Sequence, residues 1–113
     1  MLDTNEKTKK LNVLTIDDDD NMLCLLKAYA FNDINFITVN DAQHYFDTLK
    51  NNEIHAVVCD LHMPGISGLD LISYTSEHCP DIAIVAMTGL KSPEAHLKAM
   101  KKGAGKVITK SFD

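Results

Sequence analysis

Asp17, Asp18, Asp60, Thr88 and Lys110 are the residues of this chain whose types and spacing could do chemistry. Asp60 closes the apolar run Ala56-Val57-Val58-Cys59 and is followed by Leu61-His62-Met63-Pro64-Gly65, where Pro lacks an N–H and Gly admits unusual φ. An acid delivered in this way is a metal ligand, a nucleophile or a structural cap. Brought beside Asp17 and Asp18, it would place like charges within a few ångströms, which is unfavourable unless a cation or proton intervenes. An oxygen-only donor set without His or Cys side chains favours a hard cation, Mg²⁺ above all. Lys110 adds a positive point charge and Thr88 a hydroxyl donor. Carboxylates, Mg²⁺, a lysine and a hydroxyl are the parts that stabilise a phosphoryl group in transfer, and an Asp can itself be the nucleophile.

These residues converge only if the chain folds so that its strand ends meet. Leu11 to Ile16 reads as a first strand, followed at once by Asp17-Asp18-Asp19-Asp20. Met22, Leu25, Leu26, Tyr29 and Ala30 then recur at helical spacing, with Asp20 or Asn21 as N-cap. Phe36 to Val39 is a second strand, and a second helix with N-cap Asn40 presents Ala42, Tyr45, Phe46 and Leu49. The third strand, Ala56 to Cys59, carries Asp60, and a loop over 63–68 leads to a third helix from about Leu69 to His78, with Leu69, Ile72 and Thr75 or Ser76 inward. Ile82 to Met87 is a fourth strand ending at Thr88-Gly89. Ser92-Pro93-Glu94 is an N-cap, a Pro at the first helical position and an acid in the first turn. That helix turns Leu97 and Met100 inward and stops at Gly103, before a fifth strand, Val107 to Thr109, and Lys110. Strands alternating with helices of about ten residues indicate a doubly wound parallel sheet, in which ligands bind outside the carboxyl ends of the strands. The acids after the first strand, Asp60 after the third, Thr88 after the fourth and Lys110 after the fifth then share one edge.

With 113 residues the chain is one domain on length: a polar N-terminal tail over residues 1–10 and a globular part over 11–113. It is 45% hydrophobic and 24% charged, and a net charge of -5 argues against direct nucleic-acid binding. Neither a membrane-spanning run nor a signal-peptide core is present in the sequence. Cys24, Cys59 and Cys79 show no CxxC spacing, which favours reduced thiols and a cytoplasmic setting over a disulfide framework or a zinc site.

Taken together, Ile16-Asp17-Asp18, Asp60-x-x-Met63-Pro64 with Gly68, Thr88-Gly89 and Lys110 resemble the receiver domain of two-component response regulators, the CheY-like superfamily, in order and spacing. The resemblance runs from about Leu11 to Phe112. It implies a flavodoxin-like five-stranded parallel sheet of order 2-1-3-4-5. It implies that Asp60 accepts a phosphoryl group from a sensor histidine kinase or phosphotransfer protein, and that the chain is a phosphoprotein assisting its own phosphorylation and dephosphorylation rather than a conventional enzyme. It further implies Mg²⁺ bound by Asp18 directly, by Asp17 mainly through water, by Asp60 and by the backbone carbonyl of His62. Thr88 would donate its hydroxyl to the phosphoryl group and Lys110 would pair with the acid or phosphoryl oxygens.

The pattern departs from the family at three places. Ser111 follows the strand-end lysine where a proline is usual, often after a cis bond, and a cis bond to a non-proline residue costs about 2.5–4 kcal/mol. Val107 stands at the family's aromatic switch position and has no ring to swing inward. The sequence given ends after the fifth strand, where the family continues into a fifth helix. The expectation is a truncated chain or a face covered by a partner, most simply a second copy in a homodimer.

Simpler readings exist for each residue. Asp17 to Asp20 alone would be a capping run, and an EF-hand fails because Met22 and Ala28 stand where Gly and Glu are needed. His62, two residues past Asp60, either hangs over the site and affects phosphate loss or is a solvent-facing loop residue. His44, His55, His78 and His96 read as surface residues, and Cys59 as a buried small hydrophobe. An Asp-nucleophile phosphatase fails because His62 stands where such enzymes carry a second acid. The competing function is a pseudo-receiver, with the same fold used as a phosphorylation-independent binding or dimerisation module.

Overall fold

The computed structural model describes residues 11–18, 33–89 and 92–110. The polar tail, the first expected helix, Cys24 and the Lys110–Ser111 bond lie outside the described residues.

Each apolar run forms a strand: β1 (Leu11–Ile16), β2 (Ile34–Val39), β3 (Ala56–Asp60), β6 (Ala83–Thr88) and β7 (Lys106–Thr109). They make one sheet in the order β2-β1-β3-β6-β7 with every neighbouring pair parallel. The sheet is the doubly wound parallel arrangement expected from the strand–helix alternation, and its order is the flavodoxin-like 2-1-3-4-5 that the resemblance implies. The crossovers give α1 (Ala42–Asn51), α2 (Gly68–His78) and α3 (Pro93–Lys102) among the described residues, and no described helix follows β7.

In-register partners of parallel strands point to one side, so Leu14, Ile16, Val57, Cys59, Ile84 and Ala86 share a face, all buried. Tyr45 of α1 and Leu71 and Ile72 of α2 pack into that layer. Fully burying an aliphatic side chain contributes about 1.5–3 kcal/mol, so this layer is the main source of cohesion. The opposite face carries Val13, Val58 and Val85, each half-buried.

Several local expectations need correction. Asp41, not Asn40, caps α1, its carboxylate accepting from His44 N at 2.8 Å. The loop after Asp60 contains a two-stranded antiparallel hairpin, β4 (His62–Met63) and β5 (Ile66–Ser67). Pro64 and Gly65 are its two central residues, and Gly65 at φ +73 supplies the positive dihedral that a Pro-Gly turn requires. In α3 the buried residue is Ala99, whereas Leu97 and Met100 are 54% and 55% exposed. A close approach explains it: a Cβ on Gly103 would collide with Ser76 of α2, so α3 packs through small residues and its long ones turn out. In α2, Leu71 and Thr75 are buried with Ile72, and Leu69 is only half-buried. His44 and His78 are exposed, but His55 and His96 are half-buried, and His55 Nδ1 accepts from Asn12 N at 2.9 Å. Cys59 is fully buried, and burial together with the neighbouring Asp60 and Asp17 pushes its thiol up to about 12.

Candidate functional site

The carboxyl ends of β1, β3, β6 and β7 bring Asp17, Asp18, Asp60, Thr88 and Lys110 to one edge of the sheet. Asp17 and Asp60 are buried, and Asp18 is exposed. One carboxylate oxygen from each of the three lies within 4.8 Å of the others. The acids follow β1 because Ile16 pairs with Cys59 in register, so Asp17 emerges level with Asp60.

Two neighbours fix the Asp60 carboxylate. The backbone N–H of His62 donates to Oδ1 at 3.0 Å, and the Lys110 ammonium donates to Oδ2 at 2.8 Å. The same ammonium lies 2.9 Å from Asp17 Oδ2, so a single cation bridges two buried acids. Burial works to lower the Lys110 pKa, but the hydrogen bonds it donates to Asp60 and Asp17 and the charges of those acids outweigh it, and the net shift is upward. The lysine therefore stays cationic.

Lys110 is aimed by backbone bonds. Thr88 pairs with Thr109, and the Lys110 N–H donates to the Thr88 carbonyl at 2.8 Å, extending the ladder one residue beyond β7. Leu61 N donates to Met87 O at 2.9 Å and so ties the chain after Asp60 to β6. Gly68 has a close-approach role: a Cβ there would strike the Asp60 carbonyl oxygen and Leu61 Cα, so only glycine lets α2 start against the end of β3. Its presence in the sequence motif now has a physical reason.

All the site residues read from the sequence are thus brought together, Asp17, Asp18, Asp60, Thr88 and Lys110, with His62 beside them. Two contacts were not legible beforehand. One is the second arm of Lys110 onto Asp17. The other is the His62 ring, whose Nε2 lies 2.9 Å from Thr88 Oγ1; only its proximity two residues past Asp60 signalled it. Val107 is half-buried and packs against the core, in register with Ala86.

The donor set fits a hard divalent cation. It is all carboxylate, it is compact, and Asp18 leaves the cluster open to solvent on one side, where water could complete the shell. The opposing demand of three close acids is only partly met by one lysine, which is the condition under which a cation is favoured.

Comparison with known proteins agrees with this geometry. The chain is 32% identical to the transcriptional regulatory protein FixJ of Bradyrhizobium diazoefficiens over 110 residues, covering 94% of this chain and 52% of that protein. The chain spans about half the length of the two FixJ proteins it matches. Its fold matches a response regulator from Burkholderia pseudomallei, solved with a phosphorylated aspartic acid, calcium ion and citrate, at TM-score 0.82 and 24% identity over 92% of this chain and 62% of that one. The BeF3-activated receiver domain of DrrB, a Thermotoga maritima protein, matches at TM-score 0.83 and 24% identity over 92% of this chain and 87% of that one. The family model described as "Response regulator receiver domain" matches residues 13–113, and the chain belongs to that family.

Proposed function

We propose that this chain is the phosphoacceptor receiver of a two-component response regulator and that Asp60 is the acceptor. The observation that carries the reading is the Lys110–Asp60 contact at the edge where Asp17 and Asp18 also converge. A carboxylate oxygen of Asp60 attacks the phosphorus of a phosphohistidine on a sensor kinase or phosphotransfer protein. The P–O bond forms as the P–N bond breaks, and the imidazole leaves with the electron pair and takes up a proton. Lys110 neutralises charge on the acceptor and on the phosphoryl oxygens, and the Thr88 hydroxyl donates to one of them. Hydrolysis of the resulting acyl phosphate resets the site, so the chain assists its own switching without being a conventional enzyme.

Asp18, Asp17, Asp60 and the His62 carbonyl are the groups that would hold Mg²⁺. When bound, the ion supplies electrostatic stabilisation of phosphoryl oxygens in transfer. The family relationship, and the presence of a phosphorylated aspartic acid and a calcium ion in the structure of the Burkholderia protein, support this assignment. The setting is cytoplasmic, where kinases of this class present phosphohistidine. No described helix is long and apolar enough to cross a membrane. Output passes through protein contacts and not through nucleic acid bound by this segment. A second copy seated on the sheet face that the family's fifth helix covers gives the homodimer, and light scattering across concentration tests it.

Acetyl phosphate with Mg²⁺ tests the function. A mass gain of one phosphoryl group in the intact chain, absent in Asp60→Asn, supports it. No adduct under any condition favours the phosphorylation-independent binding module instead.

A further inference from the structure

His62 touches the site twice. Its backbone N–H donates to Asp60 Oδ1, while its ring Nε2 meets the Thr88 hydroxyl at 2.9 Å. The first contact is fixed by the chain and the second is a side-chain choice. The hairpin anchors the residue: His62 pairs with Ser67, and the next residue, Met63, is 6% exposed. An exposed imidazole is thereby held over a hydroxyl that is itself fully buried. Thr88 cannot shift freely along its strand, because it pairs with Thr109 and its carbonyl accepts from Lys110 N. Its hydroxyl direction is set by a stiff χ1 with a few staggered wells. A threonine hydroxyl has one proton to donate. In the tautomer whose Nε2 accepts, that one proton cannot serve the imidazole and a phosphoryl oxygen together.

We propose that the His62 ring is a positioning residue, a latch that holds the Thr88 hydroxyl in its resting direction until a phosphoryl group on Asp60 competes for it. The inference rests on the reading of Asp60 as acceptor. It assigns the ring a role in setting the balance between resting and switched states, beyond proximity to the phosphoryl group. Release of Thr88 frees an imidazole that already lies on the surface. That gives the site a route outward which does not need a ring at Val107.

The ratio of the two states is what the latch controls, so the apparent ligand affinity is the switched state's affinity multiplied by the unlatched fraction. One hydrogen bond of ordinary net strength corresponds to roughly a fivefold effect. The probe is beryllofluoride with Mg²⁺, titrated against the full chain and read on the Thr88 methyl resonance. His62→Phe keeps a ring and removes the hydrogen bond, His62→Ala removes both, and His62→Gln restores a polar group. The latch predicts tighter beryllofluoride binding by about fivefold in His62→Phe and His62→Ala, with His62→Gln returning toward the wild type. The Thr88 methyl of His62→Phe should also move, without ligand, toward its beryllofluoride-bound position. A ring that merely shields an acyl phosphate from water would change the decay rate of the adduct and leave beryllofluoride affinity unmoved. Equal or weaker affinity in both His62→Phe and His62→Ala, with the wild type binding normally, overturns the latch alone. A wild type that takes up no beryllofluoride overturns the latch together with the acceptor reading.

Discussion

Lys110 and Asp60 meet at 2.8 Å although 50 residues separate them, and β6 lies between the strands that carry them. The lysine reaches across that strand because its own N–H is bonded to the Thr88 carbonyl. Asp17 and Asp60 are both buried, so removing the cation leaves two uncompensated acids side by side. Lys110→Ala should therefore destabilise the fold by about 3 kcal/mol, the lower part of the range for breaking a buried pair. Urea unfolding in chelator measures it. Added Mg²⁺ should recover part of the loss, because a second cation can then answer the same charges.

The acid cluster predicts metal-linked stability. A ligand that binds only the native state at about 100 times its dissociation constant adds about 2.7 kcal/mol. The midpoint of thermal unfolding should rise with Mg²⁺ and fall back with chelator. Asp18→Ala should abolish most of the response while barely changing the midpoint in chelator, since Asp18 is exposed. A metal response that survives in Asp18→Ala would place the ion elsewhere.

Gly68 and Gly65 should fail in different ways. Alanine at Gly68 collides with the backbone of Asp60 and Leu61, which has no flexible end to give way. Gly68→Ala should cost about 1–3 kcal/mol and also reduce phosphoryl uptake, because α2 can only be accommodated by moving the end of β3 that carries Asp60. Gly65 at φ +73 has open space around its missing Cβ. Gly65→Ala should cost about 1–2 kcal/mol of backbone strain with uptake largely retained. Chemical unfolding beside a phosphorylation assay separates the two.

Tyr45 gives the fold an alkaline limit. Its hydroxyl donates to Thr75 Oγ1, whose own proton goes to the Leu71 carbonyl at 2.8 Å. Burial raises the phenol pKa above its ordinary value near 10. A raised folded pKa means the stability is fully present below the unfolded value and is lost as pH rises through the folded one. Wild-type stability should begin to fall above about pH 10. Tyr45→Phe should cost about 1 kcal/mol at neutral pH and show a shallower alkaline decline. Parallel declines would contradict the assignment.

The surface of α3 offers a contrast between long and small residues. Leu97→Ala and Met100→Ala remove exposed side chains and should each change monomer stability by less than about 0.5 kcal/mol. Ala99→Leu inserts bulk where Ala99 is fully buried, and should cost about 1–3 kcal/mol. Denaturant midpoints at low protein concentration give all three values.

The sequence carried the sheet because each strand is a short apolar run closed by turn residues, and the parallel direction follows once helices intervene, while the strand order came with the family resemblance. It carried Asp60, Thr88 and Lys110 because strand ends in such a sheet meet at one edge. It did not carry the facing of α3. Hydrophobicity singles out Leu97 and Met100, whereas packing against α2 is decided by how closely Gly103 and Ala99 let the backbones approach. The β4–β5 hairpin was missed because two-residue strands have no periodicity, although Pro64-Gly65 is its turn signal. The His62 ring and the second arm of Lys110 depend on side-chain directions between elements far apart in sequence, and spacing along the chain does not encode those.

The central claim is that Asp60 forms the acyl phosphate. Borohydride reduces an acyl phosphate to an alcohol, so treating the acetyl-phosphate-labelled chain and mapping its peptides reads the acceptor position directly. The account predicts a homoserine side chain at position 60 and at no other acid, with none after labelling Asp60→Asn. Reduction at Asp17 or Asp18, or the same yield in Asp60→Asn, would contradict it.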